Sequence, residues 1–230
     1  MSKKIIITEQ QLKELEKINE MAYPTFFNMN EFKSLPTFSA RIKYCESKLQ
    51  RISSGSSRIV YKIDDEKVLK LAKNKKGIAQ NEVEDDYYLQ QIGCFAEVYD
   101  VDENHQWIEM QLARRPKVSD FKRIFGYGFD VICAWIDYCA NSYGASYVRN
   151  VYYNRNEKYD KLFNSPEFEE NYEYSIFEML QHYLGDYQIN ESTGDLKRIS
   201  SWGLVKNNGQ DDLVLIDFGL SDKVFNDYYR

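Results

Sequence analysis

The stretch DDLVLIDFGLSD, from Asp211 to Asp222, decides how the rest of this 230-residue sequence is interpreted. Apolar residues from Leu213 to Ile216 predict a buried strand that runs directly into Asp217, Phe218 and Gly219. The glycine permits a sharp turn immediately after the carboxylate. Asp217 is therefore either an ordinary turn residue or a carboxylate placed at a strand end to hold a metal ion, and the remaining sequence has to distinguish the two.

The bulk composition is that of a folded, acidic protein. Hydrophobic residues make up 43% of the sequence and aromatic residues 15%, enough for a sizeable core in a chain of this length. The net charge of −6 argues against general binding to nucleic acid or to an anionic membrane, because both require a basic face. Within this acidic sequence there is one local basic patch, formed by Arg114, Arg115, Lys117, Lys122 and Arg123.

The cysteine pattern and the N-terminal sequence favour a cytoplasmic protein. The four cysteines lack C-x-x-C spacing and the two histidines stand apart from them, so neither a disulfide framework nor a zinc site is indicated. The opening MSKKIIITEQQ has too short an apolar run for a signal peptide, and no apolar stretch is long enough to span a bilayer. We therefore expect no membrane association.

Changes in hydrophobic periodicity predict an α+β protein with three regions. Residues 1–50 are expected to be a helical extension, with Thr8 and Gln11 forming a capping box for a helix over residues 8–21. Residues 51–113 alternate apolar and polar residues and predict a β-rich lobe with one helix, GIAQNEVEDDYYLQQIG. Residues 114–230 predict a helical lobe that ends in a hairpin carrying Asp217.

Three helices are expected in the last region. Ser119 or Asp120 is placed to cap a short helix, and FDVICAWIDYCANSYG carries an apolar stripe at helical spacing. The segment SPEFEENYEYSIFEMLQHYLG begins with a Ser-Pro cap and ends at Gly185, which predicts a single long helix. Asp195 follows in STGDLKRISSWGLV, where a loop is expected.

Several side chains suit phosphate chemistry. Gly55 lies among serines in SSGSS, and small residues let backbone N–H groups approach phosphate oxygens closely. Lys70 lies in the apolar strand VLKLA, where a lysine must either extend its ammonium group to solvent or find an anionic partner. Glu82 and Glu84, on the following predicted helix, are alternative partners for it.

The order of these features resembles the protein-kinase-like fold. A small-residue loop, a strand lysine, a helix glutamate, a loop aspartate and a strand ending in Asp-Phe-Gly follow one another in protein kinases. The segments GSSRIVY, VLKLAKN, GIAQNEVE, WIEMQLA, GDLKRISSWGLV and VLIDFGL together are similar to small kinase-like proteins predicted in bacteriophages. The resemblance covers residues 50–225. It implies a compact two-lobe fold cut short after the Asp-Phe-Gly motif, with the N-terminal helix outside it.

The resemblance implies a role for each matching position. Lys70 would contact the α- and β-phosphates of ATP and be held by Glu84, and Asp195 would orient the acceptor hydroxyl. Asp217 would bind Mg²⁺. The other residues implied to contact the nucleotide belong to the small-residue loop and to the hinge: Gly55, Ser56, Ser57, Arg58, Met110, Gln111 and Leu112.

Three departures from the kinase pattern leave a second interpretation open. The loop keeps Gly55 but lacks the second and third glycines, and no His-Arg precedes Asp195, although Gly194–Asp195 resembles the His-Gly-Asp of aminoglycoside phosphotransferases. The metal-binding Asn expected five residues after Asp195 is Ser200, with Ser201 beside it. The alternatives are an active Mg-ATP phosphotransferase and a pseudokinase that serves as an interaction module, against a host factor or within a virion.

The resemblance also sets expectations about the acceptor and the location. Only 11 residues follow Gly219, too few for an activation segment and the helices behind it. A folded host protein or a small molecule is therefore expected as acceptor, rather than an extended peptide. A phage-encoded protein of this kind would act in the host cytoplasm or be carried in the virion, and no nucleic-acid partner is expected.

Overall fold

The computed structural model describes residues 24, 26–142, 157–186, 189 and 193–229. The helix expected over residues 8–21 lies outside this part of the chain. Further along the predicted extension, two helices are described, Met29–Ser34 (α1) and Phe38–Lys48 (α2). Asn28 and Thr37 cap them, each accepting a hydrogen bond from a backbone N–H in the first turn.

A five-stranded antiparallel sheet follows, in the order β1-β2-β3-β5-β4. Its strands are Gln50–Ser54 (β1), Arg58–Lys62 (β2), Lys67–Ala72 (β3), Val98–Val101 (β4) and Trp107–Gln111 (β5). The predicted hairpin is present as β2 and β3, paired from Arg58 opposite Ala72 to Lys62 opposite Val68. Because β3 lies between β2 and β5, every residue from Val68 to Ala72 is buried, Lys70 included.

The single helix expected in GIAQNEVEDDYYLQQIG is two helices, Lys75–Glu84 (α3) and Tyr87–Ile92 (α4). Asp86 separates them, since its side chain accepts a hydrogen bond from the Tyr88 N–H at 2.8 Å and caps the second helix. An aspartate in this role competes with continuation of the preceding helix. The break leaves Glu84 in the last turn of α3, next to the sheet.

Helices dominate the described residues after β5. They are Val118–Phe125 (α5), Phe129–Ser142 (α6), Glu157–Phe163 (α7), Pro166–Glu170 (α8), Ile176–Asp186 (α9) and Thr193–Leu196 (α10). α5 begins before both predicted caps, because Asp120 lies in its first turn and accepts a hydrogen bond from the Lys117 N–H at 2.7 Å. The long helix expected to end at Gly185 is interrupted at residues 171–175, where Tyr174 has a φ of +61°.

A hairpin of Trp202–Asn207 (β6) and Gln210–Leu215 (β7) precedes the last described helix, Asp222–Tyr228 (α11). β7 is the strand predicted to end before Asp217, and it is buried from Leu213 to Leu215. The Leu215 N–H donates to the Cys94 carbonyl at 2.8 Å, and the Leu215 carbonyl accepts from the Ala96 N–H at 2.9 Å. These bonds fix the end of β7 beside the segment that leads into β4.

Two clusters of buried apolar side chains hold this mixed α+β fold together. The larger joins the sheet to α6, α9 and the hairpin, and includes Trp135, Tyr183, Trp202 and Phe218. The smaller packs α1 and α2 against the other face of the sheet around Phe32. None of the helices in the described ranges has both the length and the hydropathy needed to cross a bilayer.

Candidate functional site

Strand alternation places two buried cations on one face of the sheet. Leu69 of β3 and Ile59 of β2 pack into the smaller core, so their neighbours Lys70 and Arg58 lie on the opposite face. Both cationic side chains are buried, with 7% and 8% of their surface exposed. A buried cation is stable only beside an anionic partner, so this face of the sheet requires one.

Glu84 is the anionic partner of both cations. Its Oε2 lies 2.8 Å from Lys70 Nζ and 2.7 Å from Arg58 Nη1. Its Oε1 accepts hydrogen bonds from the backbone N–H groups of Phe218 and Gly219, at 3.2 and 3.1 Å. One fully buried carboxylate thereby joins two strands, α3 and the segment after β7.

Glu84, Arg58, Lys70 and Asp217 form a cluster of charged side chains. The pKa shifts within this cluster follow from burial and neighbouring charge. Burial acts to raise the pKa of Glu84, but Arg58 and Lys70 outweigh it and hold that pKa below its usual value. Burial acts to lower the pKa of Arg58, and Glu84 and Asp217 reverse the effect and raise it. Burial lowers the pKa of Lys70; Glu84 opposes this shift and Arg58 adds to it. Glu82, the alternative partner for Lys70, is exposed.

Asp217 is the exposed member of the cluster. Its side chain is 56% exposed, and its Oδ1 lies 2.5 Å from Arg58 Nη2. The residue before it is also held, because Lys70 Nζ donates to the Ile216 carbonyl at 2.5 Å. Sequence reasoning implied that Arg58 covers nucleotide phosphates; in this structure its guanidinium instead bridges Glu84 and Asp217.

Close packing explains why a glycine follows Phe218. The Phe218 ring is buried, with its centroid 4.4 Å from that of Phe95, and its carbonyl accepts a hydrogen bond from Tyr183 Oη at 2.6 Å. A Cβ at Gly219 would lie 2.3 Å from the carbonyl oxygen of Gln80 in α3. Glycine is needed here because two backbones approach one another, and the φ of this residue is not positive.

Asp195 lies in the short helix α10 rather than in the expected loop. Its Oδ1 is 2.9 Å from Arg198 Nη1. Burial is the largest influence on its pKa and raises it; Arg198 opposes the shift, and Asp217 adds to it. Ser201 donates to the Asp195 carbonyl at 2.7 Å, whereas Ser200 is exposed.

The predicted magnesium ligands do not fit a divalent cation in this arrangement. The Arg58 guanidinium already holds Asp217 Oδ1, and the exposed Ser200 lies on a separate 3-10 turn. Within the described ranges of the chain, no group of three or more His, Cys, Asp or Glu side chains is placed to hold a metal ion. A side chain of the protein itself neutralises the carboxylate that the cation would need.

The small-residue loop is fixed against the start of α3. The Asn74 side chain donates to the Ser56 carbonyl at 3.1 Å, and the buried Ser57 hydroxyl donates to Gln80 Oε1 at 2.5 Å. Gly55 is exposed. Arg58, the first residue of β2, connects this loop to the charged side chains around Glu84. The Ser56 carbonyl and the Ser57 hydroxyl already have partners in α3 or at its N-cap.

The predicted hinge also has partners within the protein. Met110 is buried in β5, the Gln111 N–H donates to the Glu97 carbonyl at 2.8 Å, and the Leu112 N–H donates to the Glu66 carbonyl at 2.6 Å. An adenine edge that binds to these two amides would have to displace bonds that are already formed.

Sequence reasoning missed Asn81 as a member of the cluster. It is fully buried in α3, where its Oδ1 accepts from Arg58 Nη1 at 3.3 Å and its Nδ2 donates to the His105 carbonyl at 2.9 Å. The available signal was spacing, since Asn81 precedes Glu84 by three residues and such residues share a helix face.

Two other features lie outside this cluster. A cavity of about 730 Å³ lies between α4 and α9, lined by residues that include Tyr88, Met179 and His182 and none of the predicted site residues. The predicted basic patch is partly neutralised, because Asp211 lies 3.0 Å from Arg123 and 3.6 Å from Arg114. Neither feature contributes to the cluster around Glu84.

Comparison with known proteins adds little to this geometry. No family model matches the chain, and no curated protein matches it. Among solved structures, the chain is similar to one described as the ternary complex of streptomycin, ATP and APH(2")-IIa. The two are 14% identical, the match covers 80% of this chain and 71% of that chain, and the TM-score is 0.35. A similarity this low does not assign the chain to a family or transfer a ligand to it.

Proposed function

We propose that this protein is a kinase-like phosphotransferase that binds ATP beside Lys70 and Asp217 and transfers its γ-phosphoryl group. The observation that carries the proposal is the double contact of Glu84, with Lys70 on one side and the backbone of Phe218 and Gly219 on the other. Phosphoryl transfer depends on positioning and charge stabilisation more than on covalent chemistry. A buried strand lysine held next to a strand-end carboxylate supplies that kind of positioning.

Asp195 is the proposed acceptor-side residue. Its raised pKa, which burial and Asp217 cause, brings the carboxyl nearer to the range in which it can accept a proton from an acceptor hydroxyl. The proposed acceptor is a small molecule or a folded protein. Mg²⁺ was predicted to accompany ATP. No binding position for it is proposed here, because the predicted ligand Asp217 forms an ion pair with Arg58.

A pseudokinase that acts through interactions alone is the second candidate, and a specific observation favours it. The charges of the cluster sum to zero without a ligand, because Arg58 and Lys70 carry two positive charges and Glu84 and Asp217 carry two negative ones. The amides of Gln111 and Leu112 are likewise bonded within the protein.

Thermal unfolding with and without nucleotide tests the proposal. A ligand that binds only the folded state stabilises it by about 2.7 kcal/mol at roughly 100 times its Kd. We expect ATP to raise the melting temperature of the wild type and of Lys75→Met, which changes an exposed lysine at the start of α3, but not of Lys70→Met. The absence of any shift with ATP or ADP, with either Mg²⁺ or EDTA present, would favour the pseudokinase.

A further inference from the structure

We infer that the Arg58 guanidinium takes the place of a divalent cation at Asp217, so that the site excludes such a cation and holds nucleotide phosphates without one. The statement about nucleotide rests on the proposed function. The exclusion of the cation does not, because it depends on the charges of Arg58, Lys70 and Asp217 and on no nucleotide.

The geometry of Arg58 supports a fixed position rather than a transient surface pair. Nη2 lies 2.5 Å from Asp217 Oδ1, while Nη1 lies 2.7 Å from Glu84 Oε2 and 3.3 Å from Asn81 Oδ1. The planar guanidinium suits simultaneous bonds to several oxygens. With only 8% of the side chain exposed, movement away from Asp217 would leave a buried cation with fewer partners.

Charge around Asp217 explains why a second cation is disfavoured there. A divalent ion bound to this carboxylate would lie next to the buried guanidinium and near the ammonium of Lys70, and like charges repel strongly in a partly buried site. The same two cations provide what an approaching phosphate needs. Arg58 cancels the charge of the exposed Asp217, which would otherwise repel the phosphate, and Lys70 adds a positive charge behind it.

Binding of Mn²⁺ alone to the full chain, followed by electron paramagnetic resonance, tests the exclusion directly. We compare the wild type with Arg58→Gln, with the double variant Arg58→Gln/Asp217→Asn, and with Arg51→Gln, which changes an exposed arginine on β1. Arg58→Gln is expected to gain Mn²⁺ affinity by roughly tenfold or more, because the Asp217 carboxylate is then no longer paired with a guanidinium. The double variant should lose the gain, and Arg51→Gln should behave as the wild type.

A folded Arg58→Gln variant without the gain would overturn the inference. If that variant does not fold, as judged by circular dichroism, the comparison of the wild type with Asp217→Asn decides. Equal Mn²⁺ affinity in these two proteins supports the exclusion. Weaker binding in Asp217→Asn shows that the wild type already binds a cation at Asp217, and contradicts it.

A fluorescent ATP analogue tests the second part of the inference. We expect the same Kd for the wild type in EDTA and in Mg²⁺, and roughly tenfold weaker binding of Arg58→Gln in EDTA, restored by Mg²⁺. Tighter binding of the wild type in Mg²⁺ by that factor would overturn the inference. An absence of binding under both conditions would instead contradict the proposed function, and the Mn²⁺ measurement would still decide the role of Arg58.

Discussion

The Glu84 carboxylate at the end of α3 accepts a hydrogen bond from the backbone N–H of Gly219 at 3.1 Å, across 135 residues of sequence. Its other oxygen lies against Lys70 and Arg58. Glu84 therefore determines both the charge balance of the cluster and the position of the segment after β7. Its loss would leave two buried cations that share one exposed carboxylate, Asp217.

Replacement of Glu84 should destabilise the protein strongly. We expect Glu84→Gln to lower the free energy of unfolding by about 3–5 kcal/mol, the range seen when one partner of a buried ion pair is removed. Glu82→Gln, on the exposed side of the same helix, is the matched control and should change it by less than about 0.5 kcal/mol. Urea unfolding of both variants measures the difference. Similar small effects would mean that the cluster contributes little to folding.

The same carboxylate should make the stability of the protein sensitive to acid. The folded-state pKa of Glu84 lies below its ordinary value of 4.5, so its contribution is present above that pH and is lost as the pH falls through the folded-state value. We expect the wild type and Glu84→Gln to differ most near neutral pH and to converge below pH 4.5. Urea unfolding from neutral to acid pH measures this, and a constant difference would contradict the assigned shift.

Local sequence patterns predicted the elements of the fold better than the contacts between them. The β2–β3 hairpin follows from apolar alternation, and the strand before Asp217 follows from a short apolar run. The helix breaks at Asp86 and before Ile176 were missed, because periodicity continued through residues whose side chains or backbone end the helix.

The arrangement of the candidate site depended on information that short segments do not contain. Arg58 precedes Asp217 by 159 residues, and only the sheet face and the path of the chain after β7 bring them together. The bond from the Leu112 N–H to the Glu66 carbonyl is likewise a tertiary contact. Sequence reasoning identified the residue types that phosphate chemistry needs and named Glu84 as one of two partners for Lys70, but it did not predict that Arg58 pairs with both Glu84 and Asp217.

A methyl group at position 219 should disturb the packing of α3. In Gly219→Ala the added Cβ would meet the backbone carbonyl of Gln80 at 2.3 Å, so we expect a loss of about 1–3 kcal/mol in the free energy of unfolding. Gly194→Ala is the matched control, since its added Cβ would meet no other described part of the chain within 4 Å outside its own helix backbone and chain neighbours, and it should stabilise α10 by up to about 1 kcal/mol. Urea unfolding measures both. Equal effects would show that the contact with Gln80 relaxes without cost.

Under the proposed function, loss of the Asp195 carboxylate should impair phosphoryl transfer much more than it impairs nucleotide binding. We expect Asp195→Asn to keep the affinity for ATP and to lose transfer by roughly 10²–10⁴-fold, because it can no longer accept the acceptor's proton. Asp227→Asn, an exposed carboxylate on α11, is the control and should leave both unchanged. Labelled ATP with candidate acceptors measures transfer. Full activity in Asp195→Asn would remove this residue from the proposed mechanism.

The same substitution should stabilise the folded protein at neutral pH. Burial and Asp217 raise the folded-state pKa of Asp195 above its ordinary value of 3.8, so folding favours the protonated carboxyl. The favourable contribution is therefore complete below pH 3.8 and is lost as the pH rises through the folded-state pKa. Asparagine resembles the neutral form at every pH, and we expect Asp195→Asn to melt above the wild type at pH 7 and to approach it in acid. A lower melting temperature at pH 7 would show instead that the ion pair with Arg198 outweighs the cost of burying the charge.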